Sequence, residues 1–419
     1  MSEAVHVGVY VHIPFCASKC LYCDFNSYAG MTSLQDSYVG AAGAEAAAIC
    51  NAAQDTGSSL VAKTLYLGGG TPSLLTASQT AAILGKCTEH FAWEPSMETT
   101  IEANPGTLDL GHLVALRELG INRISLGIQS LDNAELRRLG RVHTAEDGLL
   151  AYQLCRKATF SNVSVDLMFG LPGQTLGSWA RSLRSVVELA PEHLSLYCLS
   201  LEAGTPFHRM FQEGRLSLPG DAAEAAMYEI AEDILGTSGY VHYEISNWAR
   251  AVLSGRIGAD QALSTADTKA PLTPRCEHNM IYWRNEPYVG LGAGAHSRIG
   301  DERYWNEASP LAYIKLAQIG RSTVAGREKL SDHTQMAETA FLALRTSDGI
   351  RRDVFEKRFG VALGDVFKAA IADCLDTGLL VDTEQAIMLS PRGRLLGNEV
   401  FVRFVTEAMH QGDHCTTFP

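Results

Sequence analysis

The segment VGVYVHIPFCASKCLYC, residues 7–23, decides the fold. Its first half is a β-rich apolar run, the pattern of a buried strand. Its second half sets Cys16, Cys20 and Cys23 within eight residues, directly after that strand. Three thiols so spaced can close around one soft metal centre. A disulfide suits an odd trio poorly. Structural zinc wants a fourth ligand nearby, and no Cys or His follows within the next 25 residues. Iron–sulfur clusters are normally held by four cysteines, so three would leave one iron open to a substrate or cofactor.

Outward from this segment, β-rich runs alternate with helical spacing. The sequence predicts strands over 7–12, 64–67, 99–102, 123–128, 163–168 and 193–199. Helices are predicted over 34–53, 77–90, 110–119, 145–157, 176–189 and 222–235. Six βα units in order imply an α/β fold with a parallel sheet and helices outside it. Spacing alone does not separate an open doubly wound sheet from a barrel or partial barrel. Residues 251–275 break the alternation; they are small, polar and Pro-containing, and read as a mobile surface loop. CEHNMIYW (276–283) and the Gly-rich YVGLGAGAHS (288–297) follow it.

A boundary is expected near 321–329. Beyond it the sequence predicts helices over 332–346, 351–359 and 363–377, a hairpin over 379–389 and a last helix over 392–408. This C-terminal helical unit resembles a winged-helix module, and without a dense Lys/Arg face it is expected to pack on its neighbour. The expected division is a core over 1–240, a connecting segment over 241–328 and a C-terminal domain over 329–419.

Composition sets the outer limits. The chain has 419 residues, enough for two or three domains, with 46% hydrophobic and 19% charged residues, as in ordinary globular proteins. A formal net charge of −13 speaks against a general basic surface, so no nucleic-acid partner is expected. The N-terminus lacks a basic region followed by an apolar core and lacks an Arg-rich amphipathic stretch, so neither a secretory signal nor an obvious transit peptide is expected. No run of about 18 apolar residues occurs, so no membrane span is expected. The longest apolar-small run, 41–53, is interrupted by Glu45 and Asn51 and reads as a helix. The expected location is a reducing cytoplasm, or alternatively an organelle matrix, with free thiols. Cys50, Cys87, Cys155, Cys198 and Cys374 read as small buried hydrophobes, Cys415 as part of a frayed tail, and His6, His12 and His296 as core or capping residues near the cavity.

CxxxCxxC with an aromatic, here Tyr22, before its last Cys resembles the signature of the radical S-adenosylmethionine (radical SAM) superfamily. The resemblance implies a partial (βα)6 TIM-like barrel and a [4Fe–4S] cluster on Cys16, Cys20 and Cys23. It also implies SAM chelated at the open iron and cleaved, after electron transfer, to methionine and a 5′-deoxyadenosyl radical. Gly69, Gly70 and Thr71, in GGGTP after the second strand, resemble the family segment that binds the SAM amino group. Glu102 in IEANPGT, Gln129 in ISLGIQSLD, Arg141 in LGRVHT, Asp166 in VSVDLMFGLPGQT and Tyr10 match positions that contact SAM in a narrower subfamily. There Glu102 and Asp166 would hold the ribose or amino group, and Arg141 the carboxylate.

YVHIPFC, LGGGTP, IEANPGT, RISLGIQS and DLMFGLPGQT together resemble the coproporphyrinogen-oxidase-like branch, over roughly residues 5–310. Within it, the oxygen-independent oxidase of porphyrin biosynthesis carries a fourth cysteine where this chain has Phe25, and a long N-terminal arm where only nine residues precede Tyr10. The arm is therefore expected to be missing. His278-Asn279-Met280-Ile281-Tyr282-Trp283 matches the HNxxYW motif of the haem-chaperone (HemW) family. That resemblance implies haem as cargo, with His278, Tyr282 and Trp283 as haem candidates, and Cys276 as a substitute axial ligand. It also implies haem-accepting proteins and a one-electron donor as partners, and a homodimer as one form. The alternative is a decarboxylating radical SAM enzyme.

Overall fold

The structure is a computed structural model that describes residues 3–251 and 274–411. All but the ends of the loop expected at 251–275 lie outside these, as does Cys415.

Strand β1 (Glu3–Ile13) is buried on both faces from Val7 onward apart from the half-buried Tyr10, which is why its sequence reads as a nearly continuous apolar run. It is followed by β2 (Ser58–Gly69), β3 (Ala92–Ala103), β4 (Arg123–Gln129), β5 (Val163–Phe169) and β6 (His193–Cys198). Each pairs in parallel with the next. Helices α1 (Gln35–Asp55), α2 (Ala77–His90), α3 (Leu110–Glu118), α4 (Ala145–Lys157), α5 (Leu176–Glu188) and α6 (Asp221–Thr237) alternate with the strands. Thr76, Thr144 and Thr175 start α2, α4 and α5 with reciprocal capping boxes, satisfying the first free N–H groups of each helix. The alternation gives the partial TIM-like barrel, whose core runs from Val7 through Leu65, Ile101, Leu126, Val165 and Leu196.

The sheet continues beyond six strands. β7 (Tyr240–Glu244) and β8 (Asn247–Arg250) add antiparallel at the β6 edge. β9 (Tyr288–Leu291) adds parallel to β1, and β10 (His296–Ile299), β11 (Glu302–Asn306) and β12 (Val324–Lys329) extend that edge antiparallel. The order across the twelve strands is β12-β11-β10-β9-β1-β2-β3-β4-β5-β6-β8-β7. Residues 321–329, where a boundary was expected, therefore include a strand of the main sheet. It is an edge strand carrying Arg327, Glu328 and Lys329, and charge at an edge reads as linker composition while it blocks further pairing.

Between β8 and β9 lies a short helix, α7 (Glu277–Trp283). It carries the HNxxYW motif. Its contacts are Thr64 of β2 and Glu98 of β3, each nearer its strand's start than the cavity residues Gly69 and Glu102. α7 thus packs against β2 and β3 just N-terminal to their cavity residues. Glu98 accepts from the main-chain N–H groups of Glu277 and His278, at 3.3 and 3.1 Å, and so supplies the cap that Cys276 does not.

A second core, including Ala340, Leu344, Phe355, Phe367, Ile387 and Phe404, forms where helices and a hairpin were expected. Its three-stranded sheet pairs Ile350–Arg351 and Leu380–Asp382 with the central Ala386–Leu389. The helix predicted over 363–377 breaks at Phe367, whose buried ring packs on Phe355 and Phe404.

Candidate functional site

A cavity of about 470 Å³ opens at the C-terminal ends of the parallel strands, the end at which βα barrels assemble their sites. It is lined by Cys16, Cys20, Tyr22, Cys23, Gly69, Gly70, Thr71, Glu102, Gln129, Arg141 and Asp166 together, residues spread over 150 positions of sequence. A larger groove of about 760 Å³, between α1 and β11–β12, has neither Cys nor His in its lining, so chemistry rather than size assigns the site.

The cysteine segment is tied down on several sides. Leu21 donates its N–H to the Leu139 carbonyl at 3.1 Å, and Tyr28 to that of Pro14 at 2.7 Å. His12 Nε2 donates to the Asn26 carbonyl at 2.8 Å, and Asn26 Nδ2 donates to the carbonyls of Ala293 and Ala308 at 3.0 and 2.9 Å. Gly70 lies so close that a Cβ there would stand 2.8 Å from the Phe15 carbonyl oxygen and 2.9 Å from that of Ile13. Gly69 adopts φ +112°, open to glycine at no steric cost.

The sulfurs meet hydrogen-bond donors. Thr71 Oγ1 donates to Cys16 Sγ at 3.6 Å, and Arg141 Nη1 to Cys20 Sγ at 3.5 Å. Arg141 Nη2 is held by Asn104 Oδ1 and the Gly127 carbonyl, both at 2.6 Å, so much of this guanidinium is committed to the cavity wall. Among the described residues, no three Cys, His, Asp or Glu side chains converge on one ion position. The soft donor set, the donors facing it and the glycine cradle fit a cluster.

Two carboxylates stand across the cavity. Glu102 accepts from Tyr66 OH at 2.8 Å and from Gly69 N–H at 3.0 Å, yet burial outweighs both and pushes its carboxyl up to about 7. Asp166 is raised above the usual carboxylate range by burial, eased by the hydroxyls of Ser195, Ser125 and Ser164. Gln129 sits at φ 67°, an uncommon place for a non-glycine residue, and its Oε1 is buried with no partner. An unpaired acceptor in the wall is a place for a ligand donor.

Four sequence candidates do not line this cavity. Tyr10 lies behind Tyr66, ring centroids 6.1 Å apart, with its hydroxyl on His12 Nδ1 at 3.0 Å. His278 is buried under Tyr66, stacked at 5.0 Å, with Nδ1 on Thr64 Oγ1 at 2.7 Å and Nε2 on Tyr282 OH at 3.0 Å. Burial pulls its pKa down to about 3, so the ring is neutral. Trp283 lies under the Arg345 guanidinium at 4.4 Å, a contact to the C-terminal core. Within the HNxxYW motif only Asn279 lines the cavity.

The structure adds residues that the sequence reading passed over. Arg123 is fully buried, lines the cavity, and leaves Nε and Nη1 without hydrogen-bond partners, its nearest carboxylate being Glu98 at 4.0 Å. Its signal was a lone Arg at the start of the apolar strand RISLGIQ, in phase with Ser125, Gly127 and Gln129, which also face the cavity. Cys198 corrects an expectation. It is exposed and lines the cavity, because β6 ends there and leaves it beyond the packed part of the sheet.

Residues 10–186 match the Radical SAM superfamily, and residues 330–396 match the HemN C-terminal domain. The coproporphyrinogen III oxidase HemN of Escherichia coli has a similar fold, with a TM-score of 0.77 at 22% identity over 97% of this chain and 90% of that one. The chain belongs to the radical SAM superfamily and carries the oxidase-like C-terminal domain. "Heme chaperone HemW" of Bacillus subtilis (strain 168) is 36% identical over 401 residues, covering 96% of this chain and 99% of the relative. The HemW of Lactococcus lactis is 34% identical over 96% of this chain and 97% of its own length. "Radical S-adenosyl methionine domain-containing protein 1, mitochondrial" of Danio rerio is 35% identical over 85% of this chain and 76% of its own. Within the superfamily, the chain belongs to the HemW family. No helix among the described residues is long and apolar enough to cross a membrane.

Proposed function

We propose that this protein is a haem chaperone: it binds a [4Fe–4S] cluster, SAM and haem, and delivers haem to acceptor proteins. The observation that carries the reading is the extent of the likeness to the Bacillus subtilis haem chaperone, which leaves almost none of either chain unmatched. The cavity supplies the chemistry. Cys16, Cys20 and Cys23 would hold the cluster, with Thr71 and Arg141 donating to the sulfurs of Cys16 and Cys20. When bound, the cluster supplies an open iron for the amino and carboxylate groups of SAM and an electron for its sulfonium. Glu102 and Asp166 would take the ligand's ammonium and ribose hydroxyls, and Gln129 Oε1 would accept one more donor. Gly69 and Gly70 let the main chain approach closely.

Phe25 stands in the lining where the oxidase carries its fourth cysteine, 63% exposed, and offers no ligand there. Haem is the cargo, with His278, Tyr282 and Trp283 the residues that engage it when α7 yields. A homodimer, a one-electron donor and a cytoplasmic location belong to the same reading.

The test is an anaerobic assay of the cluster-reconstituted protein with SAM and reductant, offered coproporphyrinogen III and haem in parallel. Stoichiometric haem binding with unreacted coproporphyrinogen is expected. Turnover to protoporphyrinogen would replace this reading with the decarboxylase, and zinc or no metal in the anaerobically purified chain would end it.

A further inference from the structure

Behind Asp166 runs a line of buried side chains that the cavity itself does not use. Ser164 Oγ lies 3.2 Å from Asp166 Oδ1 and 2.8 Å from His193 Nδ1. His193 Nε2 lies 2.7 Å from Tyr243 OH, and the Tyr243 oxygen accepts the Cys276 N–H at 3.2 Å. Ser164, His193, Tyr243 and Cys276 are all fully buried.

The two ends of this line fix its direction. A main-chain N–H only donates, and an ionised carboxylate only accepts. Tyr243 therefore accepts from Cys276 and donates to His193 Nε2. The single imidazole hydrogen then sits on Nδ1 and goes to Ser164, whose own hydroxyl is left to donate to Asp166. In the reverse arrangement the Tyr243 hydroxyl hydrogen would have no acceptor among the described residues, a costly state for a fully buried group. Burial, reinforced by the Arg123 charge, holds His193 far below the usual imidazole range, in keeping with a ring that carries one hydrogen.

Without His193, Ser164 has a second outlet, since Ser195 Oγ lies 3.4 Å away. His193 removes that freedom by occupying a lone pair of the Ser164 oxygen. At its far end the line begins at Cys276, where α7 starts, so the helix bearing HNxxYW and the cavity carboxylate share one polarised chain.

We propose that His193 is a positioning residue for the SAM site: through Ser164 it aims and polarises the Asp166 carboxylate, with Tyr243 fixing its tautomer. The proposal rests on the reading of Asp166 as a SAM contact.

The experiment is equilibrium dialysis of radiolabelled SAM against the full-length, anaerobically reconstituted chain. Ser164→Ala and His193→Leu should each weaken binding about tenfold, the loss of one hydrogen bond to a charged group. His193→Gln can accept from Tyr243 and donate to Ser164, and should recover affinity to within about threefold of wild type. The Ser164→Ala, His193→Leu double variant should bind within about twofold of Ser164→Ala alone, because the two act through one hydroxyl. If His193→Leu does not fold, Tyr243→Phe takes its place in the same cycle. Multiplying effects, or His193→Gln as weak as His193→Leu, or unchanged affinity in His193→Leu, overturns the positioning role while leaving the SAM site intact. A wild-type chain that holds its cluster and binds no SAM overturns the site and the proposal together.

Discussion

Replacing Glu102 with Gln should change how stability depends on pH, and the structure gives sign and size. Burial raises the Glu102 carboxyl from its ordinary 4.5 to about 7. Between those values the unfolded chain has lost this proton while the folded chain still holds it. The folded state then binds more protons, so stability falls as pH rises through the window. At about 1.4 kcal/mol per pH unit the full effect is about 3 kcal/mol, and a scan from pH 5 to 8 captures most of it. Glu102→Gln has no proton to lose. Its amide would place an N–H against either Tyr66 OH or Gly69 N–H, a cost that is constant with pH. Glu45 and Glu244, also raised by burial, titrate in both proteins and cancel in the comparison, while Asp166, whose charge helps raise Glu102, is coupled to it and adds a smaller change of its own. Urea unfolding of both proteins at pH 5, 6, 7 and 8 measures the difference. Wild type should lose about 2 to 3 kcal/mol relative to the variant across the series. Curves that stay parallel to within about 0.5 kcal/mol would refute the account of Glu102 as a carboxylate held by two donors too few for its burial.

Other perturbations bear on the frame of the site. Gly70→Ala must push the backbone at Ile13 and Phe15, next to Cys16, at about 1–3 kcal/mol; iron content after anaerobic reconstitution should fall while circular dichroism stays that of the wild type. Glu45, buried on α1, accepts from Gly292 N–H, Asn306 Nδ2, Tyr313 OH and Thr323 Oγ1, and Glu45→Leu strands those donors. A loss of about 3 kcal/mol or more is expected, read as a lowered thermal midpoint. Cys198 belongs to an exposed residue, but burial of its sulfur and the nearby Glu224 carboxylate push the thiol to about 12. Iodoacetamide at pH 8 should label it slowly, and Glu224→Gln should speed the reaction.

The six parallel strands were legible because the stretches read as strands are mostly buried and so leave short apolar runs bounded by turns. The strands from β7 to β12 were not, because they are only four to six residues long and, apart from β9 on β1, pair antiparallel, and Arg303, Arg327 and Glu328 dilute the pattern of β11 and β12. The cavity candidates on CxxxCxxC, GGGTP and the strand ends were readable from motif position, since parallel strands deliver their C-terminal ends to one place. Arg123 and Cys198 were not, because pattern alone cannot say on which side of a wall one Arg or one thiol lies. His193 and Tyr243 carried no local signal at all. Their partnership spans fifty positions and exists only once β8 has paired with β6 and β7 with β8.

The placement of HNxxYW constrains how haem can be engaged. His278 has both ring nitrogens in hydrogen bonds, so ligation of an iron requires giving up Thr64 or Tyr282. Each such bond is worth about 1 kcal/mol net, a small cost beside an iron–imidazole bond, so the obstacle is geometric rather than energetic. The ring is stacked on Tyr66, and Tyr66 donates to Glu102. Cys276, at the start of the same helix, donates into the line that ends on Asp166. A helix cannot move to expose His278 without disturbing the partners of both carboxylates. On the proposed reading, haem engagement at this motif and SAM engagement in the cavity would be coupled through α7, and by reciprocity SAM would alter haem affinity by the same factor that haem alters SAM affinity. Titrating haem with and without saturating SAM measures that factor; a ratio of one would mean that haem is taken up without moving α7, and would place its site away from His278.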